Sequence, residues 1–259
     1  SKYYRYEYEE TYKIIAPRWV PHTATVIAVP HPTVPSLMIP EISLTPRTYE
    51  ARVCYSSAKS EKIILFNSSN LSEDRVNLKL RFIPVSNPII KHRYSILAKQ
   101  YVQSLEAHTF YSTLKKLSEN QSILSQNQPG FFSGNITCST NPNEKVIGFF
   151  DVSSYSEKRM FFNFVDIFST ADTPGYFYEC FWDQILVDKK DAEGRYKFCF
   201  LTPPPSDCEA EMAQDYLQQS YLLYYKQLYI DSDKYVDLVP PPCGDCTTFS
   251  SNVIPPFWQ

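Results

Sequence analysis

Residues 3–14, YYRYEYEETYKI, alternate with a period of two. Tyr4, Tyr6, Tyr8, Tyr12 and Ile14 fall on one parity, and Arg5, Glu7, Glu9, Thr11 and Lys13 on the other. Successive side chains of a strand point to opposite faces, so this predicts a half-buried strand with its aromatic face inward and its charged face outward. The same period recurs in RVNLKLRFIPV at 75–85, where Val76, Leu78, Leu80 and Phe82 share a parity, and HRYSILAKQYVQ at 92–103 predicts another strand. Residues 51–66 read as two short strands about a polar turn. From Ser104 the period lengthens. Ala107, Phe110, Tyr111, Leu114 and Leu117 recur at helical spacing behind a Ser suited to an N-cap, which predicts one amphipathic helix laid on a sheet.

Further on, NITCS, VIGFFDVSS and KRMFFNFVDIF predict strands joined by the turn-rich TNPNEK, and GYFYECFWDQILVD and GRYKFCFL predict two more. Residues 207–230 read as helical in their first half, with Met212, Tyr216, Leu217 and Tyr221 on one face; the second half, YLLYYKQLYI, fits either class. DSDKYVD at 231–237 offers Asp231, Asp233 and Asp237, but it lacks the turn glycine and bidentate Glu of a calcium loop and reads as a solvated loop. The stretch 16–50 carries seven prolines, from Pro17 to Pro46. That density excludes helix and central strand and leaves an extended excursion or an edge hairpin. Its apolar residues, Trp19 and Met38 among them, imply that it packs on something. The pattern as a whole predicts a mainly β chain with a few helices (α+β): antiparallel β-sandwich-like sheets, one amphipathic helix on a sheet, and an irregular, disulfide-stapled C-terminal tail. No repeat or Gly/Ser linker marks a boundary, so residues 1–259 read as a single β-rich domain.

Composition narrows the function classes. A net charge of -3 and a pI near 5.8 give no basic footprint for nucleic acid. The longest apolar run, RMFFNFVDIF, falls far below the roughly 20 residues of a membrane-spanning helix. Tyr and Phe are abundant, 20 and 17 against 6 Gly, a balance that suits strand faces and wet recognition surfaces alike. Within or beside the Pro-rich excursion, Trp19 and Tyr49 are candidate partner-contact aromatics. Of seven cysteines, Cys180, Cys199, Cys208, Cys243 and Cys246 crowd the C-terminal third and are the disulfide candidates; Cys54 and Cys138 stand apart. CGDC at 243–246 admits half a zinc site, a redox pair or two ends of structural disulfides. The four His lie far upstream and the motif has loop on both sides, which favours structural disulfides and an oxidising compartment. The odd count leaves at least one thiol unpaired or bonded outside the chain. No phosphate-cradling Gly-rich loop, H-E-x-x-H, G-x-S-x-G or EF-hand pattern is present, so no catalytic, cofactor-binding or metal-binding residue is nominated and a non-enzyme is expected.

Several stretches together carry a resemblance: YYRYEYEETYKI (3–14), CYSSAKSEKIILFNSSNLSED (54–74), RYSILAKQYVQSLEAHTFYSTLKK (93–116), GNITCSTNPNEKVIGFFDVSSYSEKRMFF (134–162) and CGDCTTFSSNVIPPFW (243–258). In order and spacing the chain resembles the Bacteroidota lipoprotein family catalogued as domain of unknown function 4249. The resemblance implies that the chain corresponds to the C-terminal two-thirds of such a protein. A lipidated Cys and a small β-sandwich would precede it, and the first strand's neighbours would belong to that upstream part. It also implies an outer-membrane lipoprotein on the extracellular face, held through a lipid anchor outside this chain. As a partner it implies a SusC-type TonB-dependent transporter or its associated lipoproteins, with an accessory role in nutrient capture or assembly. The family brings no established catalytic residues. The alternative is a free-standing glycan- or peptide-binding module. A hydrolase, the third reading, requires acid, base and nucleophile groups to converge in one pocket.

Overall fold

A computed structural model of the chain describes residues 2–30, 35–36, 38–119, 134–141, 143–144, 146, 148–190, 196–197, 210–231 and 233–258. In chain order the elements are strands β1 (Tyr3–Ile15), β2 (His22–Pro30), β3 (Met38–Pro46), β4 (Val53–Lys59), β5 (Ile64–Asn67) and β6 (Arg93–Gln103), then helix α1 (Leu105–Glu119). There follow strand β7 (Ser154–Asn163), the short helix α2 (Phe164–Ile167), strands β8 (Asp183–Lys190) and β9 (Tyr196–Lys197), helix α3 (Ala210–Gln218), strands β10 (Leu223–Ile230) and β11 (Asp233–Val239), and the short helix α4 (Pro241–Gly244). The protein is mainly β, with antiparallel sheets, a few helices and two disulfides near the C-terminus, as the pattern predicts. Its contacts fall into two compact units, residues 1–11, 57–85 and 93–167 in the first, and 12–56, 86–92 and 168–259 in the second.

In the first unit β1 is a central strand of the order β4-β1-β6-β7, and β5 pairs it as well, from Tyr3 opposite Asn67 to Tyr6 opposite Ile64. Its neighbours therefore lie within this chain, which corrects their placement in an upstream portion. Being central also corrects the expected outward charged face. Arg5, Glu7 and Glu9 are half-buried and Thr11 is buried, because side chains of the flanking strands, Tyr101, Lys99 and Ser57, pack against the charged row, and Glu10 on the aromatic parity is buried as well. β6 and β7 pair from Arg93 opposite Asn163 to Val102 opposite Ser154. Where β6 ends, Ser104 Oγ accepts from the Ala107 amide at 3.1 Å and starts α1, whose Ala107 is fully buried, with Phe110, Tyr111, Leu114 and Leu117 half-buried beside it. Cap and spacing thus do what the sequence predicts. Residues 75–85 keep their alternation, with Val76, Leu78 and Leu80 half-buried between exposed neighbours, but they form no ladder, and Phe82 is exposed. Their period reports one-sided burial of an extended segment, not strand pairing. Likewise NITCS and the described residues of VIGFFDVSS are not strand up to Ser154, and KRMFFNFVDIF leaves the sheet at Asn163, where the Asp166 carboxylate accepts from the Asn163 amide at 3.1 Å and turns the chain into α2.

In the second unit the Pro-rich excursion is the two-stranded hairpin β2-β3, in register from His22 opposite Pro46 to Pro30 opposite Met38. Each strand of a two-stranded sheet has an outward edge that needs no donor, which is where proline is tolerated. A second sheet runs β10-β11-β8-β9. Ala213 and Leu217 of α3 pack with Ile185, Val236 and Leu238 of this sheet, and Ala24, Val26 and Ile42 of the hairpin close over the same cluster. Those apolar side chains are what layer hairpin, helix and sheet. Of the face expected on α3, Tyr216 and Leu217 point inward, Tyr221 falls beyond the helix and is exposed, and the Met212 side chain lies outside the described residues. YLLYYKQLYI resolves as strand β10. Asp231 takes the left-handed conformation, φ 49°, at its turn into β11, a conformation Asp adopts more readily than most residues. The solvated loop expected at 231–237 is corrected by β11 itself: Asp237 is buried, 3.4 Å from Lys226 Nζ and accepting from Gln184 Nε2 at 3.2 Å. Partners, not solvent, hold that charge.

Candidate functional site

Two cystines organise the end of the chain. Cys54 on β4 bonds Cys246, and Cys180 bonds Cys243. The two cysteines of CGDC thus reach in different directions, each to its own distant segment, as two ends of structural disulfides. Cys180, Cys243 and Cys246 are paired as nominated; Cys199 and Cys208 lie outside the described residues. Cys54 was set apart by its position 192 residues from its partner, and no local signal marks such a pair. Cys138 is an unpaired, half-buried thiol. The hydrogen bond to Thr140 Oγ1, 3.3 Å away, is the largest influence drawing its pKa below the ordinary thiol value. Among the described residues no cluster of His, Cys, Asp and Glu could hold a metal, and no helix is long and apolar enough to cross a membrane.

Between the two cysteines of CGDC, Asp245 is a buried hub. Its Oδ1 accepts from the Thr247 amide at 2.8 Å, and its Oδ2 accepts from Arg47 Nη1 at 3.1 Å and from the Tyr49 hydroxyl at 2.9 Å. Burial, then this bond to Asp245, raises the Tyr49 pKa. Tyr49 is still 48% exposed with its hydroxyl tied inward. Trp19 packs on the cluster of Ile14, Ala16, Cys54 and Cys246, with the Arg52 guanidinium 5.7 Å from its ring centre. Tyr12, Tyr176, Phe177 and Phe249 cover the same cluster, and the Tyr176 hydroxyl donates to the Pro242 carbonyl at 2.9 Å. The tail closes over β4. The Tyr55 amide donates to Ser251 O at 2.7 Å and Trp258 meets the Tyr55 ring edge-on at 5.0 Å, so the tail with Phe257 and Trp258 is tied down as expected.

On the solvent side of this braced region the segment around Cys180 presents Tyr178, Phe181 and Trp182 at 44%, 58% and 47% exposure. Large aromatics and Arg are the residues that dominate recognition surfaces when they stand together in the open. Here the Arg18 guanidinium carbon lies 4.7 Å from the Trp182 ring centre and 5.4 Å from that of Tyr225. Sequence reasoning missed this group, because Arg18, Trp182 and Tyr225 are far apart in the chain and only the fold assembles them.

The first unit holds a cleft of about 800 Å³ between α1 and residues 134–135 and 149–152. Leu105, Phe110, Phe149, Phe150 and Val152 give it an apolar wall, and Glu106 and Asp151 also line it. Gly134 permits the closure: a Cβ there would stand 1.5 Å from Gly148 O. The Asn135 amide exchanges two 2.7 Å hydrogen bonds with the Phe150 backbone and acts as a strand partner for it. The carboxylates of β1, by contrast, are engaged in the sheet. Tyr101 donates to Glu7 at 3.1 Å, Lys99 to Glu9 at 2.6 Å, and Tyr94 and Arg81 both to Glu10, at 2.6 Å and at 3.1 and 3.3 Å.

Comparison with known proteins adds one finding. No curated protein and no solved structure shows a significant match, but the family model described as Domain of unknown function (DUF4249) matches residues 1–159, more than half of the 259-residue chain. That span takes in the Tyr-rich first strand, the α1 helix and most of β7, and the chain belongs to the DUF4249 family.

Proposed function

We propose that this chain works by contact, without chemistry of its own, as an accessory subunit at the extracellular face of an outer membrane. It would be held there by a lipid anchor outside this chain and would serve a SusC-type TonB-dependent transporter or its associated lipoproteins in nutrient capture or assembly. The observation that carries the reading is the braced surface of the second unit: the Cys180–Cys243 bond fixes a segment that holds three large aromatics in solvent to a turn that Cys54–Cys246 ties to β4. Cystines persist outside reducing compartments, and a rigid aromatic surface binds with little ordering cost. Membership of the family, whose resemblance implies such a setting, supports the same reading. The test is affinity purification from native outer membranes in mild detergent. Co-purification of a SusC-type barrel at near-stoichiometric yield is the expected result; a chain that comes away alone while the barrel remains intact in the extract overturns it.

The cleft beside α1 favours a second reading, a free-standing peptide- or glycan-binding module, since its size lies in the range of ligand pockets and its wall is apolar with few polar groups. Saturable binding of a peptide or oligosaccharide to the isolated chain, abolished by Phe110→Ala, would support that reading over the first.

A further inference from the structure

Three local devices aim at one guanidinium. The Arg18 amide donates to the Cys243 carbonyl at 2.9 Å, which fixes its backbone to the CGDC turn. The Cys180–Cys243 bond ties the segment carrying Trp182 to that same turn. On β10 the register with β11 shifts between Tyr224 and Lys226, so Tyr225 is the extra, unpaired residue of a bulge, and a bulge re-aims the side chain it carries. Trp182 and Tyr225 both end beside the guanidinium of Arg18. Among the described residues no carboxylate or carbonyl oxygen accepts from that guanidinium. Glu179 and Asp183 lie close in sequence, but neither pairs with it. Lys226, beside Tyr225, is engaged with Asp237.

We infer that Arg18 and Trp182, with the exposed Phe181 next to Trp182 in the chain, form the docking point for an acidic segment of a protein partner, an Asp or Glu side chain flanked by an apolar residue. A guanidinium held against aromatic rings keeps its N–H edge free, and that planar fork fits a carboxylate in two parallel hydrogen bonds, which an ammonium cannot do. The ring of Phe181 has no polar handle, so the residue flanking the acid in a peptide that covers it is apolar. The site deepens the contact reading above and rests on it, since it says which feature the partner must present.

The experiment is selection of a random phage-displayed peptide library on the full, oxidised chain, followed by binding measurements with the selected peptides. Selected sequences are expected to carry Asp or Glu next to Phe, Leu or Trp. Arg18→Gln is expected to weaken them by about tenfold or more, Trp182→Ala comparably, and Arg18→Lys by less than Arg18→Gln, because charge survives and the fork does not. Near-UV circular dichroism and the mass of the disulfide-bonded chain check that the variants keep the fold. Peptides without acidic bias, or binding that Arg18→Gln leaves unchanged in a folded variant, overturn the inference. So does Arg18-dependent binding of oligogalacturonate where no peptide is selected, which would make the ligand an acidic glycan. A chain that selects acidic peptides through Arg18 yet never retains the barrel sinks the transporter reading alone. A chain that retains the barrel while Arg18→Gln binds the peptides normally sinks this one alone.

Discussion

In the first unit the central strand is surrounded by polar partners: Glu9 meets Lys99, Glu10 meets Arg81 and Tyr94, and the Tyr4 hydroxyl donates to Asp74 at 2.8 Å. In the second, apolar layers and two cystines do the corresponding work around Ile14, Cys54, Leu238 and Cys246. The difference teaches where each unit is vulnerable. A charge ladder responds to pH and salt, because its strength depends on ionisation and screening. A cystine responds to reductant and is indifferent to both. The exposed aromatics around Trp182 belong to the covalently braced unit, where the Cys180–Cys243 bond holds their segment whatever the salt.

Removing the cystines should produce the largest effect. On the chain-entropy relation, a cross-link spanning 192 residues stabilises by about 5 kcal/mol and one spanning 63 by about 4 kcal/mol. The double variant Cys54→Ser/Cys246→Ser should therefore unfold at lower urea than Cys180→Ser/Cys243→Ser. Equal or reversed midpoints would show that native packing around Cys180, not loop length, sets the ranking. Next comes Asp245→Asn, which keeps an acceptor for the Thr247 amide but removes the charge opposite the buried Arg47 guanidinium, leaving it the Val20 and His22 carbonyls and the Tyr49 hydroxyl. Losing one partner of a buried pair costs about 3 kcal/mol at the low end of the range, where the remaining bonds of Arg47 put this one, read as a drop in the denaturation midpoint. If the loss matched that of a solvent-exposed pair, Asp245 would not be the hub of the second unit. In the first unit Ser104→Ala removes the N-cap of α1 and should cost about 1 kcal/mol, with Ser104→Gly nearly neutral. Faster amide exchange confined to the first turn of α1 is the accompanying signature.

The same contrast governs what could be read from the chain. Periodicity placed β1, β6 and α1, and proline density over 16–50 left an edge hairpin as one of two readings, since prolines sit on edge strands. It failed where burial and pairing part company. Val76, Leu78 and Leu80 alternate as a strand would, yet their segment has no ladder partner. Asp233 and Asp237 look solvated in sequence, yet β11 is central and Lys226 and Gln184 come from other strands to meet Asp237. The nominated Trp19 is largely given over to packing, while the exposed Trp182 went unnoticed. Local pattern reports which face of an element is apolar; it does not report which element will cover it. The Arg18 group and the Cys54–Cys246 bond both join segments far apart in the chain, so no window along the sequence contains them.

The smallest effect is also the one that separates the two units by pH. The hydrogen bond from Lys99 is the main reason the Glu9 pKa lies below its ordinary 4.5, and the same bond raises Lys99 above its ordinary 10.5. Glu9's contribution is thus fully present above about pH 4.5 and lost as pH falls through its lower folded value. Lys99's contribution is present below 10.5 and lost as pH rises through its higher one. Lys99→Met should cost only about 0.5 kcal/mol at neutral pH, as half-exposed pairs do, and its urea midpoint should meet the wild type's in strong acid. In the second unit His92 works in another window. Burial, with Lys91 and Lys13 nearby, lowers its pKa to about 4 from 6.5, so the folded chain holds fewer protons than the unfolded chain between those values. Stability therefore declines as pH falls from 6.5 towards 4, and His92→Gln should flatten that part of the curve while leaving the Glu9 limb below it. Half-buried His108 in the first unit has its pKa lowered by desolvation as well, so it contributes to the slope that survives in His92→Gln. A His92→Gln curve superimposed on the wild type's between pH 6.5 and 4 would mean that burial of His92 does not set the acid response in that window.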